Sequence, residues 1–169
     1  MRDAVALDPE AILARHARAL ARRRAWDGIW KDCYDHALPG RPGEAGVPIY
    51  DGTAPDAAEQ LAASLLAELT PPWIRWFGFA PGRAVPPSLA GDAWAATLET
   101  AAETLHAELE RSNFTVEMHQ CFLDLVIAGT ACLAIEEAPP GEPSSLRFAA
   151  VPLAEVTLEE GPEQRLDTV

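Results

Sequence analysis

Lysine is nearly absent from this chain, and several signatures of nucleotide and hydrolase chemistry are missing with it. Lys31 is the single lysine among 169 residues, and no glycine-rich loop ends in Gly-Lys-Ser/Thr. A Gly-x-Gly-x-x-Gly fingerprint and a Gly-x-Ser-x-Gly elbow do not occur either. Phosphate-cradling loops depend on those glycines and that lysine, and the elbow presents a nucleophilic serine. The sequence therefore argues against nucleotide-driven chemistry.

Cysteine is also scarce, with three residues and no Cys-x-x-Cys pair. Cys121 and Cys132 lie in apolar stretches, which is typical of buried thiols in a reducing compartment. Two patterns stay open as zinc ligands, namely Cys-x-x-His at Cys33 and His36 and His-x-Cys at His119 and Cys121. The plainer interpretation is a buried thiol beside a partly exposed imidazole. We therefore expect no metal and no cofactor.

Long apolar runs are absent as well. No stretch of eighteen apolar residues occurs, and the first fifteen residues lack the apolar core of a signal peptide. A membrane-spanning helix needs a longer apolar run than any present. The sequence thus predicts no membrane span.

Positive charge is in deficit and unevenly spread. The chain has 13 Lys and Arg against 26 Asp and Glu, so its net charge is −13. Residues 1–41 carry +2, whereas residues 42–169 carry −15. Such an acidic body repels nucleic acid at long range, so any contact with DNA is expected to be local, weak or sliding. An acidic surface that serves only solubility explains the same charge.

The first helix is predicted over residues 8–24 and continues at helical spacing to residue 37, before Pro39. Asp8 suits the N-cap and Pro9 the first helical position, while Gly28 weakens the middle. The chain's only basic concentration lies on this helix: Arg15, Arg18, Arg22, Arg23 and Arg24. These arginines are predicted either to contact phosphates or an acidic partner, or to form a solvated flank.

A second helix is predicted to begin at Thr53, as its cap, and to stop at Pro71 and Pro72. Proline-rich connectors are expected at 40–53 and 81–90. The predicted buried stripe of this helix comprises Ala58, Leu61, Ala62, Leu65 and Leu69. The residues after it should be extended and aromatic: Trp73, Trp76, Phe77 and Phe79. These four are predicted to pack as core or to lie at a subunit interface.

The rest of the chain is predicted to form two helices followed by short strands. A third helix is predicted over 91–111, with Trp94, Leu98, Ala101, Leu105 and Leu109 facing inward. A fourth follows the cap Asn113 and ends at Gly129, and short strands come after it. Helices first and short antiparallel strands last predict an α+β fold that is mostly helical.

Glu103 and His106 form a Glu-x-x-His on the third helix. Di-metal bundles need two such helices, and the next helix carries its Glu and His at a different spacing. We therefore expect this pair on a solvated helix face. A metal-dependent enzyme that uses Cys33, His36 and Glu103 stays as one alternative, and a small monomeric protein-interaction domain as another.

The stretch "YDGTAPDAAEQLAASLLAELTPPWIRWFGF" contains Tyr50–Ala54, then Leu69–Pro72, then the pair Trp76 and Phe77. This order is similar to the signature of the portal family, the head-to-tail connecting proteins of short-tailed bacteriophages. "RAWDGIWKDCYDHALPGR" resembles its first helix. "NFTVEMHQCFLDLVIAGTACLAIEE" resembles its helix-then-strand segment. "LRFAAVPLAEVTLEEGPEQRLDTV" resembles the strands that follow. The resemblance spans nearly the whole chain, in the family's order.

The resemblance implies a structural role without catalysis. Portal subunits form a ring, usually a dodecamer, at one capsid vertex for DNA packaging and ejection. The implied partners are further copies of the chain, capsid protein, a tail adaptor, a packaging ATPase (terminase) and passing double-stranded DNA. The implied location is the virion, with the host cytoplasm during assembly. Because family members are several times longer, we expect a helical arm over 1–39 and a body over 40–169 that is truncated at its C-terminal end.

Overall fold

Helices dominate the chain, and short antiparallel strands follow them. A computed structural model describes residues 8–38, 51–82, 91–160 and 166–168. The elements are α1 (Pro9–Ala37), α2 (Thr53–Leu69), α3 (Asp92–Arg111), α4 (Phe114–Ala128), β1 (Leu133–Glu137), β2 (Leu146–Ala150), a 3-10 turn (Leu153–Glu155), β3 (Glu159–Glu160) and β4 (Leu166–Thr168). Both strand pairs, β1–β2 and β3–β4, are antiparallel. The predicted α+β, mostly helical class is confirmed.

The helix ends follow local chemistry. The Asp8 carboxylate accepts a hydrogen bond from the Glu10 backbone N–H at 3.1 Å, as expected of an N-cap. The α1 helix then runs through Gly28 without a break. Gly129 ends α4 in the left-handed region at φ 71°, where a side chain would be strained.

The start of α2 differs from the sequence prediction. Thr53 is the first helical residue rather than the capping one, and Gly52 precedes it. The Asp51 carboxylate accepts from the Thr53 N–H at 2.9 Å and from its hydroxyl at 2.6 Å. These bonds lower the pKa of Asp51, the side-chain one having the larger effect. The capping side chain therefore lies two residues earlier than predicted.

The α4 helix is the centre of the fold, because α1, α2, α3, β1 and β2 all contact it. Its closest neighbour is α2, and the shared core consists of Ala58, Ala62, Phe122 and Leu123. Alanines on α2 let the two helices approach closely, so the larger side chains of α4 fill the contact.

The buried faces of α2 and α3 were only partly predicted. Leu61 and Leu69 are 50% and 54% exposed, so their assignment to the core was wrong. On α3, Trp94 is 46% exposed and Ala101 is exposed as well. Ala102, directly after Ala101, and His106, directly after Leu105, are buried instead. The inward face of α3 is thus rotated by about one residue, because the segment after α2 packs against it.

A polar contact joins α1 to α4. The Tyr34 hydroxyl donates to Asp124 Oδ1 at 2.7 Å, and Gln120 Nε2 donates to the same oxygen at 3.3 Å. Asp124 is 4% exposed, so these donors satisfy a carboxylate that burial would otherwise destabilise.

Two predicted connectors fall mainly outside the described residues: 40–50 of the first and 83–90 of the second. Tyr50 of the quoted signature also lies outside them. Of the helices in the described ranges, none combines the length and the apolar character that crossing a membrane requires.

Candidate assembly interface

An aromatic cluster forms where the chain leaves α2. The ring centroids of Trp76 and Phe77 lie 4.8 Å apart, and those of Phe77 and Phe79 lie 5.8 Å apart. The His106 ring of α3 stacks on Phe77 at 4.0 Å and meets Trp76 edge-on at 5.9 Å. We call Trp76, Phe77, Phe79, His106 and Phe114 the aromatic joint. Its members bring the irregular segment 75–80 onto α3.

His106 is a buried member of the joint, at 7% exposure. Its Nε2 lies 3.3 Å from the Phe77 carbonyl oxygen. Since a carbonyl oxygen only accepts, Nε2 carries the proton in this contact. The expectation that Glu103 and His106 share a solvated face was therefore wrong for His106. Ala102 lies four residues before His106, on the same side of the helix, and both are buried. That helical spacing from a small apolar residue was the sequence signal for the burial of His106.

Phe114 connects the joint to α4 and the first hairpin. Trp76 stacks on Phe114 with centroids 6.1 Å apart, and Phe114 meets Phe148 edge-on at 5.1 Å. Phe148 is a buried residue of β2. One chain of ring contacts thus runs from the end of α2 to the sheet. Such contacts stabilise beyond the area that they bury.

An ion pair holds the same segment from outside. Arg75 Nη1 lies 2.5 Å from Glu99 Oε1 and 3.5 Å from Glu103 Oε1, both on α3. All three side chains are about half exposed, so the pairs contribute little free energy. Their contribution is to set the direction in which the segment crosses α3. Glu103 therefore forms an ion pair with Arg75.

The four aromatic residues predicted as a packing or interface set divide into two groups. Trp76, Phe77 and Phe79 belong to the joint, although Trp76 and Phe79 stay 38% and 46% exposed. Trp73 lies outside it and is 73% exposed, and its neighbour Ile74 is 59% exposed. A tryptophan so exposed contributes little to the packing of its own chain. Packing and surface roles therefore fall to different members of this set.

The basic side of α1 faces the C-terminal strands of the same chain. Arg15 Nε lies 2.7 Å from Glu159 Oε2, and Arg18 Nη2 lies 3.9 Å from Glu159 Oε1. The Arg15 hydrogen bond is the main cause that lowers the pKa of Glu159. Arg15 and Arg18 thus share one acidic partner inside the chain.

Arg23 has a different environment from its neighbours. Its Nε donates to Asp27 at 2.9 Å, and its Nη1 donates to the carbonyl oxygens of Ala154 and Val156 at 2.7 and 3.0 Å. Its side chain is 16% exposed, so it ties α1 to the 3-10 turn. Arg22 and Arg24 lie on the exposed side of the helix.

Glu108 fastens the loop of the first hairpin, residues 138–145, to α3. Its Oε2 accepts from the Ser145 N–H at 2.8 Å and from the Ser144 and Ser145 hydroxyls at 2.9 and 3.0 Å. Arg111 pairs with its other oxygen. These donors, the Ser145 N–H first among them, lower the pKa of Glu108 to about 2. The sequence offered no signal for this contact, since the partners lie 36 and 37 residues apart.

The threonine hydroxyls of α3 and the Cys121 thiol of α4 lie in environments that do not activate them as nucleophiles. Three threonines line an open groove on α3, and each hydroxyl donates to the carbonyl four residues earlier: Thr97, Thr100 and Thr104. Burial raises the pKa of Cys121 to about 11, so its thiol stays protonated at neutral pH. Its predicted burial is confirmed.

The residues suggested as metal ligands make other contacts. His119 Nε2 lies 3.5 Å from Glu59 Oε2, and His36 Nδ1 lies 2.7 Å from the Asp32 carbonyl oxygen. Within the described ranges, no three His, Cys, Asp or Glu residues are grouped closely enough to hold a metal ion.

Comparison with known proteins bears on the whole chain. Residues 9–169 match the family model described as bacteriophage head to tail connecting protein. No curated protein matches the chain. The match covers every helix and strand described above, including the joint and the first hairpin. Its description is that of a structural connector rather than of an enzyme. The resemblance in the four quoted stretches is thus confirmed, and the chain belongs to the bacteriophage head to tail connecting protein family.

Proposed function

We propose that the chain is a subunit of a ring, a dodecamer by family resemblance, that sits at one capsid vertex. Double-stranded DNA is packaged and later ejected through this ring. The match to the connector family over residues 9–169 carries the proposal. The role is structural, without catalysis and without a cofactor. The subunit is a virion component that assembles in the host cytoplasm.

Exposed apolar side chains support self-association. Six large ones lie on α1 and just after α2, each at least 45% exposed: Ile12, Leu13, Trp26, Ile29, Trp73 and Ile74. Large exposed apolar patches on a protein often mark sites of interaction with another protein. We assign Trp73 to a contact between subunits, whereas Trp76, Phe77 and Phe79 hold the subunit's own elements together.

The uneven distribution of charge supports different roles for the arm and the body. The arm, residues 1–39, presents Arg22 and Arg24 on its exposed side, where an acidic neighbour or DNA phosphates would meet them. Arg15 and Arg18 orient that side through their contacts with Glu159 of β3, and Arg23 does so through its contact with the 3-10 turn. The body, residues 40–169, is strongly acidic, which suits a wall that DNA passes without being held. Capsid protein, a tail adaptor and the packaging ATPase are the further partners in this proposal.

Native mass spectrometry and electron microscopy of the purified chain test the ring. The expected result is a closed ring whose copy number does not change with concentration. A chain that stays strictly monomeric at high concentration would contradict ring formation. Metal analysis of the same sample tests the enzyme alternative, since stoichiometric zinc would support it.

A further inference from the structure

The two edges of the β1–β2 hairpin differ. The outer edge of β2 is closed by side chains from its surroundings. Asn113 bonds both the N–H and the carbonyl of Phe148, at 2.9 and 2.8 Å. Glu117 accepts from the Ala150 N–H at 2.8 Å, and the Ser144 hydroxyl oxygen accepts from the Leu146 N–H at 3.1 Å. No further strand can pair there without displacing these groups.

Along the outer edge of β1, no neighbouring strand is found among the described residues. Cross-strand bonds at Ala138 and Cys132 show that even-numbered residues of β1 direct their backbone groups toward β2. Leu133, Ile135 and Glu137 therefore direct theirs away from the hairpin. Across the ranges that the structure describes, those outward groups have no hydrogen-bond partner. A row of free N–H and carbonyl groups is a template for another strand.

The side chains along this edge are suited to one kind of partner. Ile135 is 64% exposed, although its cross-strand neighbour Phe148 is buried on the same face. Glu136 and Glu137 are exposed beside it. The edge thus offers one apolar side chain and two carboxylates to an incoming strand.

We propose that β1 accepts an extended, basic segment of another protein chain as an added strand. Main-chain hydrogen bonds to Leu133, Ile135 and Glu137 supply the pairing, and alternate side chains supply the selection. An apolar side chain of the incoming segment covers Ile135, and a lysine or arginine meets Glu136. The inference goes beyond the proposed ring and does not depend on it.

A second copy of this chain is the poorer occupant. Head-to-tail continuation of the sheet would need the outer edge of β2, which Asn113, Glu117 and Ser144 occupy. Pairing of β1 with β1 of another copy would bring the carboxylates of Glu136 and Glu137 from both copies onto one short ribbon. Like charges so close to each other oppose that pairing.

Amide hydrogen exchange on the full chain, followed by NMR, tests the proposal with two synthetic peptides. One peptide alternates lysine and valine, and the other alternates glutamate and valine. The lysine peptide is expected to slow exchange at Leu133, Ile135 and Glu137 by about ten-fold or more, because strand pairing protects these amides. The glutamate peptide is expected to leave them unchanged, and Phe148 should be protected with or without a peptide.

Three variants sharpen the test. Ile135→Pro removes an outward N–H but no bond of the β1–β2 ladder, so the response to the lysine peptide should be lost. Ile135→Thr keeps that N–H and should retain the response. The double variant Glu136→Lys, Glu137→Lys does not depend on proline being tolerated, and it should reverse the preference between the peptides.

Three results would overturn the proposal. Unchanged exchange with the lysine peptide would show that the edge does not accept a strand. An equal response to both peptides would remove the basic character of the partner. Protection of Ile135 in the free chain would show that the edge is already covered, by this chain's own residues or, if protection rises with concentration, by a second copy.

Discussion

The side-chain amide of Asn113 pairs with the backbone of Phe148 as a neighbouring strand would. Its Nδ2 donates to the Phe148 carbonyl at 2.8 Å, and its Oδ1 accepts from the Phe148 N–H at 2.9 Å. Asn113 precedes the first residue of α4, so one side chain joins the start of that helix to the outer edge of β2. Because this side chain occupies the outer edge of β2, the edge of this hairpin that lacks a strand partner among the described residues is that of β1.

Asn113→Ala is expected to lower the free energy of unfolding by about 2–3 kcal/mol, because the hydrogen bonds of Asn113 with Phe148 and Glu117 are lost and partly buried backbone groups are left unpaired. Asn113→Asp is the matched variant, since it keeps an acceptor for the Phe148 N–H but places a carboxylate beside the Phe148 carbonyl and the Glu117 carboxylate. Its loss should be at least as large as that of the alanine variant. Urea unfolding measures both, and a change below about 0.5 kcal/mol for the alanine variant would contradict the role.

Glu108 should make stability depend on pH in the acid range. Its pKa in the folded chain is about 2, below the ordinary 4.5. A lowered pKa means that the stabilisation is fully present above pH 4.5 and is lost as pH falls toward 2. Glu108→Gln should flatten the stability profile in that window, as measured by denaturant unfolding at each pH.

Glu110→Gln is the control for that experiment, because Glu110 lies on the same helix and is exposed. It should leave the profile as in the original chain. If Glu108→Gln and Glu110→Gln gave the same profile, the contact with Ser144 and Ser145 would not be the source of the pH dependence.

His106→Ala should destabilise the fold by about 2–3 kcal/mol, because it leaves a cavity beneath Phe77 and removes the ring stack. His106→Phe keeps a ring in that place and loses only the bond to the Phe77 carbonyl, so its cost should be nearer about 1 kcal/mol. Denaturant unfolding gives the order of the three chains. Equal stability of the alanine and phenylalanine variants would argue against stacking as the main contribution.

Trp73 and Trp76 should respond differently to alanine. Trp73→Ala is expected to change the free energy of unfolding by less than about 0.5 kcal/mol and to weaken assembly, because the side chain is largely exposed. Trp76→Ala should cost about 2 kcal/mol, because contacts with Phe77, His106 and Phe114 are lost. Unfolding curves and native mass spectrometry separate the two effects. An assembly unaffected by Trp73→Ala would remove that residue from the interface.

Helix boundaries were predictable because their causes are local. The Asp8 cap, the stop before Pro71 and the left-handed Gly129 each act on residues within about four positions along the chain. The family could also be predicted, since its marks are short stretches in a given order. Even so, Thr53 was predicted to supply the capping side chain of α2, and Asp51 supplies it instead.

The order of elements, the helix ends, the α+β class and the family follow from the sequence by itself, because caps, prolines and short motifs act within a few residues. Only the tertiary structure decided that His106 is buried, that Trp73 is exposed, and that the arginines of α1 meet Glu159. Phe77, the partner of His106, lies 29 positions away along the chain, and Glu159 lies 144 positions from Arg15. Helical periodicity cannot identify such distant contacts. The contact between Asn113 and Phe148, which lie 35 positions apart, is of the same kind, so the closed outer edge of β2 was also decided by the tertiary structure.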